Sequence, residues 1–203
     1  MKIGGFKKFS LIDYPGKISA VVFTQGCNYR CSYCHNPELV YPELFNSQIP
    51  PDDIFSFLSQ RKGMLEGVVI TGGEPLLQPE LTHFIHKIRN LGFLVKLDTN
   101  GSAPDKLFEL LSSEFLDYVA MDIKAPFDKY HLVSGCEVNL ADIKKSIRMI
   151  EVSGINYHFR TTFDGEALDE ADIEKITYLL KNPLKYSVQE CLSTETKQLS
   201  IPL

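Results

Sequence analysis

The sequence predicts an α/β fold in which parallel strands alternate with covering helices. Apolar runs rich in β-branched residues alternate with segments of helical periodicity, beginning with the strand-like ISAVVFT at 18–24 and a helical segment at 51–60. About six such βα pairs follow one another with short connections. Helices of this length between strands require right-handed crossovers and give a parallel sheet. Because six pairs are too few to close an eight-stranded barrel, we expect a partial (β/α)6 barrel or an open sheet.

Each predicted element has a local signal at its boundaries. The helix at 51–60 begins with Pro and Asp, and two others end beside Gly92 and Gly154, as helices commonly begin and end. The predicted strands lie at 18–24, 67–71, 93–99, 117–123, 155–163 and 184–190. The predicted helices lie at 51–60, 79–91, 103–113, 140–153 and 169–181.

Length and composition indicate one domain. A chain of 203 residues that is 44% hydrophobic can bury a single sizeable core. We therefore expect residues 1–203 to form one domain, with 1–17 as an N-terminal extension that can form a hairpin and 18–190 as the βα core.

Charge and hydropathy exclude several classes of partner. The formal net charge is −5 and no run of basic residues occurs, so neither nucleic-acid binding nor a polybasic membrane contact is expected. No apolar run approaches the roughly 18–20 residues of a membrane-spanning helix, and the N-terminus lacks a signal-peptide pattern. The five cysteines are an odd number with three clustered, which favours reduced thiols over a disulfide framework. We expect a cytoplasmic protein.

Unusual motifs fall at the carboxyl ends of the predicted strands or directly after them. The cysteine-rich stretch follows the first strand and GGEP (72–75) follows the second, while DTNG (98–101) ends the third and MDIK (121–124) ends the fourth. Arg160 and Gln189 lie towards the far ends of the fifth and sixth strands. Because ligands bind outside the carboxyl ends of parallel strands, we expect these motifs to share one site.

The stretch TQGCNYRCSYCHN holds three candidate metal ligands in the spacing C-x3-C-x2-C. They are Cys27, Cys31 and Cys34. Structural zinc usually takes four N or S ligands in two separated pairs, and neither Cys136 nor Cys191 has a C-x-x-C partner, so zinc is the weaker alternative. Cysteine thiolates also hold iron–sulfur clusters, and three of them leave one iron of a four-iron cluster open to an external ligand.

The cysteine motif, with the aromatic Tyr33 before its last cysteine, resembles the radical S-adenosylmethionine (SAM) signature. The resemblance extends through GGEP, DTNG and MDIK and so covers nearly the whole chain. Residues 4–40, GGFKKFSLIDYPGKISAVVFTQGCNYRCSYCHNPELV, are more narrowly similar to the start of the activating proteins of anaerobic ribonucleoside-triphosphate reductase, which belong with the glycyl-radical-enzyme activases. This implies a partial (β/α)6 radical SAM barrel.

The resemblance also implies the chemistry. The amino nitrogen and carboxylate of SAM chelate the open iron of one [4Fe-4S] cluster, and an electron from the reduced cluster cleaves the S–C5′ bond. The resulting 5′-deoxyadenosyl radical abstracts a hydrogen from a backbone glycine of anaerobic ribonucleotide reductase or another glycyl-radical enzyme. A flavodoxin- or ferredoxin-type protein donates the electron. No side chain need act as acid, base or nucleophile, since the cofactors supply the reactive groups.

Nine residues are expected to bind SAM. They are Tyr33, Gly72, Gly73, Glu74, Asp98, Asn100, Asp122, Lys124 and Arg160. The two glycines let the backbone approach a ligand where a Cβ would clash, and Glu74 is expected to face the SAM ammonium. Asp98 is expected to accept hydrogen bonds from the ribose or ammonium, or to ligate a monovalent cation, as the resemblance suggests. Arg160 suits a carboxylate or a partner's backbone carbonyls.

Each expectation has a structural alternative. Asp122 and Lys124 share a strand face and suit the methionine end of SAM, or they form a plain ion pair. His158 is expected to be a hydrogen-bonded core histidine, and His83 and His86 to lie on a helix surface. No role is expected for Cys136 or Cys191.

Two other functions stay open. One is a compact radical SAM enzyme acting on a small molecule, similar to the 7-carboxy-7-deazaguanine synthases, which would need a polar substrate pocket. The other is a non-catalytic iron–sulfur electron carrier, which would need a fourth protein ligand and would not need GGEP, Asp98 or Lys124.

Overall fold

Seven strands form one sheet in sequence order, from β1 at one edge to β7 at the other. The computed structural model describes residues 1–191. The strands are β1 (Ile3–Ser10), β2 (Ser19–Thr24), β3 (Gly67–Gly72), β4 (Leu94–Thr99), β5 (Tyr118–Asp122), β6 (Asn156–Phe163) and β7 (Tyr186–Glu190). Strands β2 to β7 pair in parallel, which confirms the predicted α/β fold of alternating units. Strand β1 pairs antiparallel with β2, so residues 3–24 form a hairpin.

Six α-helices connect or follow these strands in the described part of the chain. They are α1 (Pro51–Ser59), α2 (Leu81–Asn90), α3 (Pro104–Ser112), α4 (Tyr130–Ser134), α5 (Leu140–Val152) and α6 (Glu170–Leu179). Proline at the first turn starts α1 and α3, and a capping box between Asp169 and Asp172 starts α6. Five helices match the predicted segments. The short α4 was not predicted, because five residues are too few to show a helical period.

Alternation along the strands gives the sheet one apolar face and one mixed face. On β2 to β6, side chains such as Val22, Ile70, Leu97 and Phe159 pack with the helices in the main core. The intervening residues point to the opposite face, where a small apolar cluster of Tyr14, Val21 and Val69 lies. The polar side chains on that mixed face continue to the carboxyl ends of the strands. The predicted site therefore lies where the mixed face of the sheet reaches the carboxyl ends of the strands.

No helix within residues 1–191 is both long enough and apolar enough to cross a bilayer.

Candidate active site

A cavity of about 250 Å³ lies at the carboxyl ends of the parallel strands, beside the cysteine loop (residues 25–36). Every residue that the sequence suggested as a metal or SAM ligand lines it. These residues are Cys27, Cys31, Tyr33, Cys34, Gly72, Gly73, Glu74, Asp98, Asn100, Asp122, Lys124 and Arg160. Gln189 of the last strand lines it too. The prediction that these motifs share one mouth is confirmed.

The three clustered thiols lie in a partly desolvated part of this cavity. Burial raises the pKa of Cys27 to about 11, although the Tyr29 N–H donates to its sulfur at 3.4 Å. Burial also raises the pKa of Cys31, opposed by the positive charge of Lys124. Thiols in such a setting become thiolates when a metal displaces the proton, and Lys124 would help to balance their charge.

The donor set fits a four-iron cluster with one open iron. Among residues 1–191, no three His, Cys, Asp or Glu side chains converge closely enough to hold a single metal ion. A cluster does not need that convergence, because each thiolate binds a different iron atom. The three thiols line one cavity, and no other cysteine of the described chain lines it. No fourth cysteine thiolate is therefore available in this cavity for the fourth iron.

The GGEP segment packs directly against the cysteine loop. The Gly73 N–H donates to the Thr24 carbonyl at 2.9 Å, and the Glu74 N–H donates to the Gly26 carbonyl at 2.8 Å. A Cβ at Gly72 would lie 2.3 Å from the Thr24 nitrogen, and one at Gly73 would lie 2.2 Å from the Gly26 oxygen. The sequence suggested that these glycines make room for a ligand. The structure shows that the atoms they make room for are backbone atoms of the cysteine loop and its preceding strand.

Glu74 joins GGEP to DTNG. Its carboxylate is buried and accepts hydrogen bonds from the Leu76 N–H at 3.0 Å, the Thr99 hydroxyl at 2.7 Å and the Asn100 N–H at 2.7 Å. Burial raises its pKa to about 7, opposed by these three donors. Both carboxylate oxygens are thus engaged by the protein, so Glu74 holds two cavity loops in register.

Five alternating charges cross strands β4, β5 and β6, and we call them the charge network; all but Lys96 line the cavity. They are Lys96, Asp98, Arg160, Asp122 and Lys124. Lys96 Nζ lies 2.6 Å from Asp98 Oδ1, and Arg160 Nη2 lies 3.1 Å from Asp98 Oδ2. Arg160 Nε contacts Asp122 Oδ1, and Lys124 Nζ lies 2.9 Å from Asp122 Oδ2. Three cations against two anions leave the network with a net charge of +1.

The network explains the ionisation of its central members. Burial by itself would raise the pKa of Asp122, but Arg160 and Lys124 hold it well below its usual value. The Asp122 carboxylate, with Asp98, raises the pKa of Arg160 against the effect of burial. Asp122 and Arg160 are direct register partners on neighbouring strands, so the pairing follows from the sheet itself. Asp122 and Arg160 therefore stay charged at neutral pH.

The pairing changes the interpretation of Arg160 and adds Lys96. The Arg160 guanidinium binds two carboxylates of its own chain, whereas the sequence suggested a carboxylate of a ligand or a partner's carbonyls. Asp122 and Lys124 do form the ion pair that was the structural alternative. Lys96 was not recognised, although a lysine two residues before Asp98 on an apolar strand was the available signal.

Two further predicted residues lie next to the cysteine loop. Asn100 Nδ2 donates to Asn28 Oδ1 at 3.0 Å, which links DTNG to that loop. Lys124 Nζ lies 5.9 Å from the centre of the Tyr33 ring, within the range of a cation–π contact. These two contacts join the residues that follow β4 and β5 to the cysteine loop.

The hydrogen bond expected of His158 is present, although this residue is half-buried and not in the core, and His83 and His86 lie on a helix surface as predicted. His158 Nε2 lies 2.7 Å from Ser187 Oγ, so it is a hydrogen-bonded histidine between neighbouring strands. His83 and His86 are exposed on α2. His35 lines the cavity beside Cys34.

Residues 134–136, for which no role was predicted, pack against the backbone of the cysteine loop. The Arg30 N–H donates to the Ser134 carbonyl at 2.8 Å. Gly135 has a positive φ of 66°, and a Cβ there would lie 2.2 Å from the Arg30 oxygen. Cys136 Sγ lies 3.4 Å from the Asn28 carbonyl. Cys136 is therefore part of this contact, while Cys191 follows β7 and donates its N–H to the Phe163 carbonyl.

Comparison with known proteins matches both the fold and the motifs. The sequence profile of the Radical SAM superfamily matches residues 21–176. A candidate glycyl-radical enzyme activating enzyme of Methanocaldococcus jannaschii is 36% identical over 98% of this chain and 86% of its own length. The pyruvate formate-lyase-activating enzyme of Clostridium pasteurianum is 30% identical over 89% of this chain and 76% of its own length.

Two further similarities are more partial. The 7-carboxy-7-deazaguanine synthase of Methanopyrus kandleri is 33% identical over 56% of this chain and 52% of its own length. Streptococcus suis SuiB bound to S-adenosylmethionine superposes with a TM-score of 0.69 at 16% identity, over 86% of this chain and 40% of that one. The last likeness is one of fold alone. With a family profile over most of its length and near full-length relatives, this chain belongs to the radical SAM superfamily and, within it, to the glycyl-radical enzyme activating enzymes.

Proposed function

We propose that the protein uses SAM and one [4Fe-4S] cluster to abstract a hydrogen atom from a backbone glycine of anaerobic ribonucleotide reductase. The observation that carries this proposal is the similarity to an activating enzyme over 98% of the chain, together with a cavity that gathers the cysteine, GGEP, DTNG and MDIK motifs. The choice of reductase rests on the N-terminal resemblance at residues 4–40.

In this proposal the thiolates of the cysteine loop hold the cluster and the surrounding side chains hold SAM. When bound, the pair supplies a carbon-centred radical strong enough to break a Cα–H bond. The residues that line the cavity fix where that radical forms and exclude water from it. Glu74 and the two glycines before it fix the loops around the cluster, because their contacts are with the cysteine loop and with DTNG.

The charge network provides the polar end of the SAM site. Its net charge of +1 favours an anionic group, and the carboxylate of SAM is such a group. Lys124 is a terminal cation of the network, and its Nζ lies 5.9 Å from the centre of the Tyr33 ring in the cysteine loop. We assign it to the SAM carboxylate, with Asp98 and Asn100 left to the hydroxyl groups of the ribose.

A monovalent cation at Asp98 gains no support from the geometry. Lys96 and Arg160 already flank that carboxylate on both oxygens, and an added cation would lie beside two positive charges. Side-chain cations of the protein therefore already compensate the Asp98 carboxylate.

The proposed electron donor is a small flavodoxin- or ferredoxin-type protein, and the proposed location is the cytoplasm, where thiols stay reduced. The C. pasteurianum relative is named for pyruvate formate-lyase, so another glycyl-radical enzyme is the nearest alternative partner. The partial similarity to 7-carboxy-7-deazaguanine synthase supports a second candidate, a reaction on a small molecule. The electron-carrier alternative does not hold, because the chain belongs to a family of enzymes.

The test is direct transfer of hydrogen from glycine. The reconstituted and reduced protein is incubated with SAM and with each candidate glycyl-radical enzyme in which glycine carries deuterium. We expect an electron paramagnetic resonance signal of a glycyl radical in the reductase, a doublet when the glycine carries hydrogen and without that splitting when it carries deuterium, and we expect deuterium in 5′-deoxyadenosine. Cys31→Ala should abolish both signals, whereas Cys191→Ala should preserve them.

A partner in which the target glycine is replaced by alanine should give neither signal. If SAM is cleaved without label transfer from any glycyl-radical enzyme, the activase proposal is wrong and a small-molecule substrate is the next candidate. If label transfers from a different glycyl-radical enzyme only, the reductase is the wrong partner.

A further inference from the structure

Strand β7 forms the edge of the sheet beside the cavity. Gln189 and Glu190 at its carboxyl end line the cavity, whereas within residues 1–191 no lining residue comes from β1 at the other edge. The end of β1 that lies next to the carboxyl end of β2 is occupied by the chain itself. There the Ile3 carbonyl accepts a hydrogen bond from the Ile49 N–H at 2.9 Å. The sheet edge that a ligand could approach from the cavity is therefore β7.

The register of β7 fixes which of its backbone groups face outwards. The Cys191 N–H donates to the Phe163 carbonyl at 2.8 Å, so Cys191 directs its N–H towards β6. Successive residues of a strand direct their backbone groups to opposite sides, so Gln189 also bonds to β6, whereas Val188 and Glu190 direct their N–H and C=O groups away from the sheet. In the described part of the chain, nothing bonds to these outward groups of Val188 and Glu190.

This edge has the regularity that strand addition requires. Val188 is 41% exposed, and Gln189 and Glu190 are exposed as well. Native proteins usually protect such edges with proline, bulges or several charges. Strand β7 contains no proline, has Glu190 as its one charged residue, and pairs with β6 in unbroken register from Tyr186 to Glu190. An extended peptide can therefore pair with it through main-chain groups.

The chemistry of the proposed substrate matches this edge. This step rests on the proposed function, in which a backbone glycine of the partner enzyme reaches the cavity as part of a peptide. A peptide paired with β7 would run about 4.8 Å from that strand, beside residues that line the cavity. The Gln189 side chain lines the cavity and carries both a donor and an acceptor, so it can bond to a peptide group that turns from the edge into the cavity.

We propose that the glycine-bearing segment of the partner enzyme binds as an added strand along the outer edge of β7. The N–H and C=O groups of Val188 and Glu190 pair with alternate residues of the peptide, and the Gln189 amide binds the peptide group next to the glycine. Main-chain pairing sets the register of the peptide and so the position of its glycine at the cavity. It makes little demand on the side chains of the partner.

The first test is hydrogen–deuterium exchange of the β7 amides in the protein loaded with cluster and SAM. The probe is a synthetic peptide of the residues that flank the glycine in the glycyl-radical enzyme that the protein activates. Without peptide, the amides of Val188 and Glu190 should exchange fast and that of Gln189 slowly, because only the last bonds to β6. Adding peptide should slow the exchange of Val188 and Glu190.

The second test removes one outward donor. Val188→Pro deletes an N–H that is not part of the pairing with β6, and proline is tolerated where the N–H of an edge strand faces solvent. The KM for the partner enzyme in glycyl-radical formation should rise about 2- to 10-fold, as expected for one lost hydrogen bond. Val188→Ala is the matched control, because it shortens the side chain and keeps the N–H. Its KM should equal that of the wild type, and both variants should keep the iron content and the SAM affinity of the wild type.

A third test changes the peptide and leaves the protein as it is. Methylating one peptide nitrogen at a time removes one donor at a time. Binding should weaken at every second position, where the nitrogen faces β7, and should be unchanged at the positions between. If Val188→Pro lowers the iron content, this alternation decides the question without it.

Three outcomes would overturn the proposal. Slow exchange of the Val188 and Glu190 amides before peptide is added shows that the edge is already covered. Equal KM values for fully loaded Val188→Pro and Val188→Ala show that the peptide binds elsewhere, and so does a methylation pattern without alternation. Failure of the proposed function is a different result, in which the wild type forms no glycyl radical in any partner enzyme.

Discussion

The turn after α4 should control the stability of the cysteine loop through Gly135. Substituting alanine places a Cβ 2.2 Å from the Arg30 oxygen, which is backbone and has no flexible side chain to move aside. Relieving that overlap costs about 1–3 kcal/mol, as overpacking generally does. It also breaks or lengthens the 2.8 Å hydrogen bond from the Arg30 N–H to the Ser134 carbonyl, which contributes about 0.5–1.5 kcal/mol.

A matched control separates this contact from backbone strain. Gly16 has a φ of 68°, nearly that of Gly135 at 66°, but a Cβ at Gly16 meets no atom within 4 Å. Both alanine variants therefore share the left-handed penalty of about 1–2 kcal/mol. The difference between them isolates the overlap and the hydrogen bond, and should be about 1.5–4.5 kcal/mol with Gly135→Ala the less stable.

Urea or thermal unfolding of the apo-protein measures this difference. At about 2–4 °C per kcal/mol for a chain of this size, the midpoint of Gly135→Ala should lie roughly 3–18 °C below that of Gly16→Ala. Iron and sulfide content after anaerobic reconstitution should also fall in Gly135→Ala only, because the displaced segment carries the cluster ligands. Equal stability and equal iron content in the two variants would refute the view that α4 supports the cysteine loop.

Three further predictions concern the cavity. Alanine at any one of Cys27, Cys31 and Cys34 should abolish the assembly of a four-iron cluster, as measured by iron and sulfide analysis. Alanine at Cys136 or Cys191 should not. Normal iron content after substitution of any one of the first three cysteines would contradict the cluster assignment. Burial raises the Glu74 pKa from 4.5 to about 7, so the contribution of this residue to stability is complete below pH 4.5 and is lost as the pH rises through 7. In urea titrations, the stability of the wild type relative to Glu74→Gln should therefore fall by about 3 kcal/mol between pH 4.5 and 8. A pH-independent difference would contradict the raised pKa. Arg160→Ala removes the cation between two partly buried carboxylates and should destabilise the apo-protein by about 2–4 kcal/mol in the same assay. Lowering the pH should diminish this loss of stability as Asp122 becomes protonated. An unchanged stability would show that the ion pairs of Arg160 are not formed in solution.

The sequence by itself determined the order of the parallel strands and the longer helices, and which motifs line the cavity. Hydrophobic periodicity gave the strands within one or two residues, because burial on a parallel sheet imposes apolar runs on the chain itself. The gathering of the motifs also followed from sequence, since parallel strands direct all their carboxyl ends to one edge whatever their side chains are. For this reason the cysteine loop and residues as distant as Glu74 and Lys124 were assigned to one cavity correctly.

Tertiary structure alone decided what each of these side chains contacts. The partner of Arg160 depends on the register between β5 and β6, which places it opposite Asp122. The neighbour of Gly73 depends on how closely two loops from different strands approach, and no local pattern encodes that distance. The contact between Gly135 and Arg30 joins segments more than 100 residues apart in the chain. The physical reason is that periodicity is a local property of the chain, whereas charge pairing, close approach and desolvation depend on atoms brought together only when it folds.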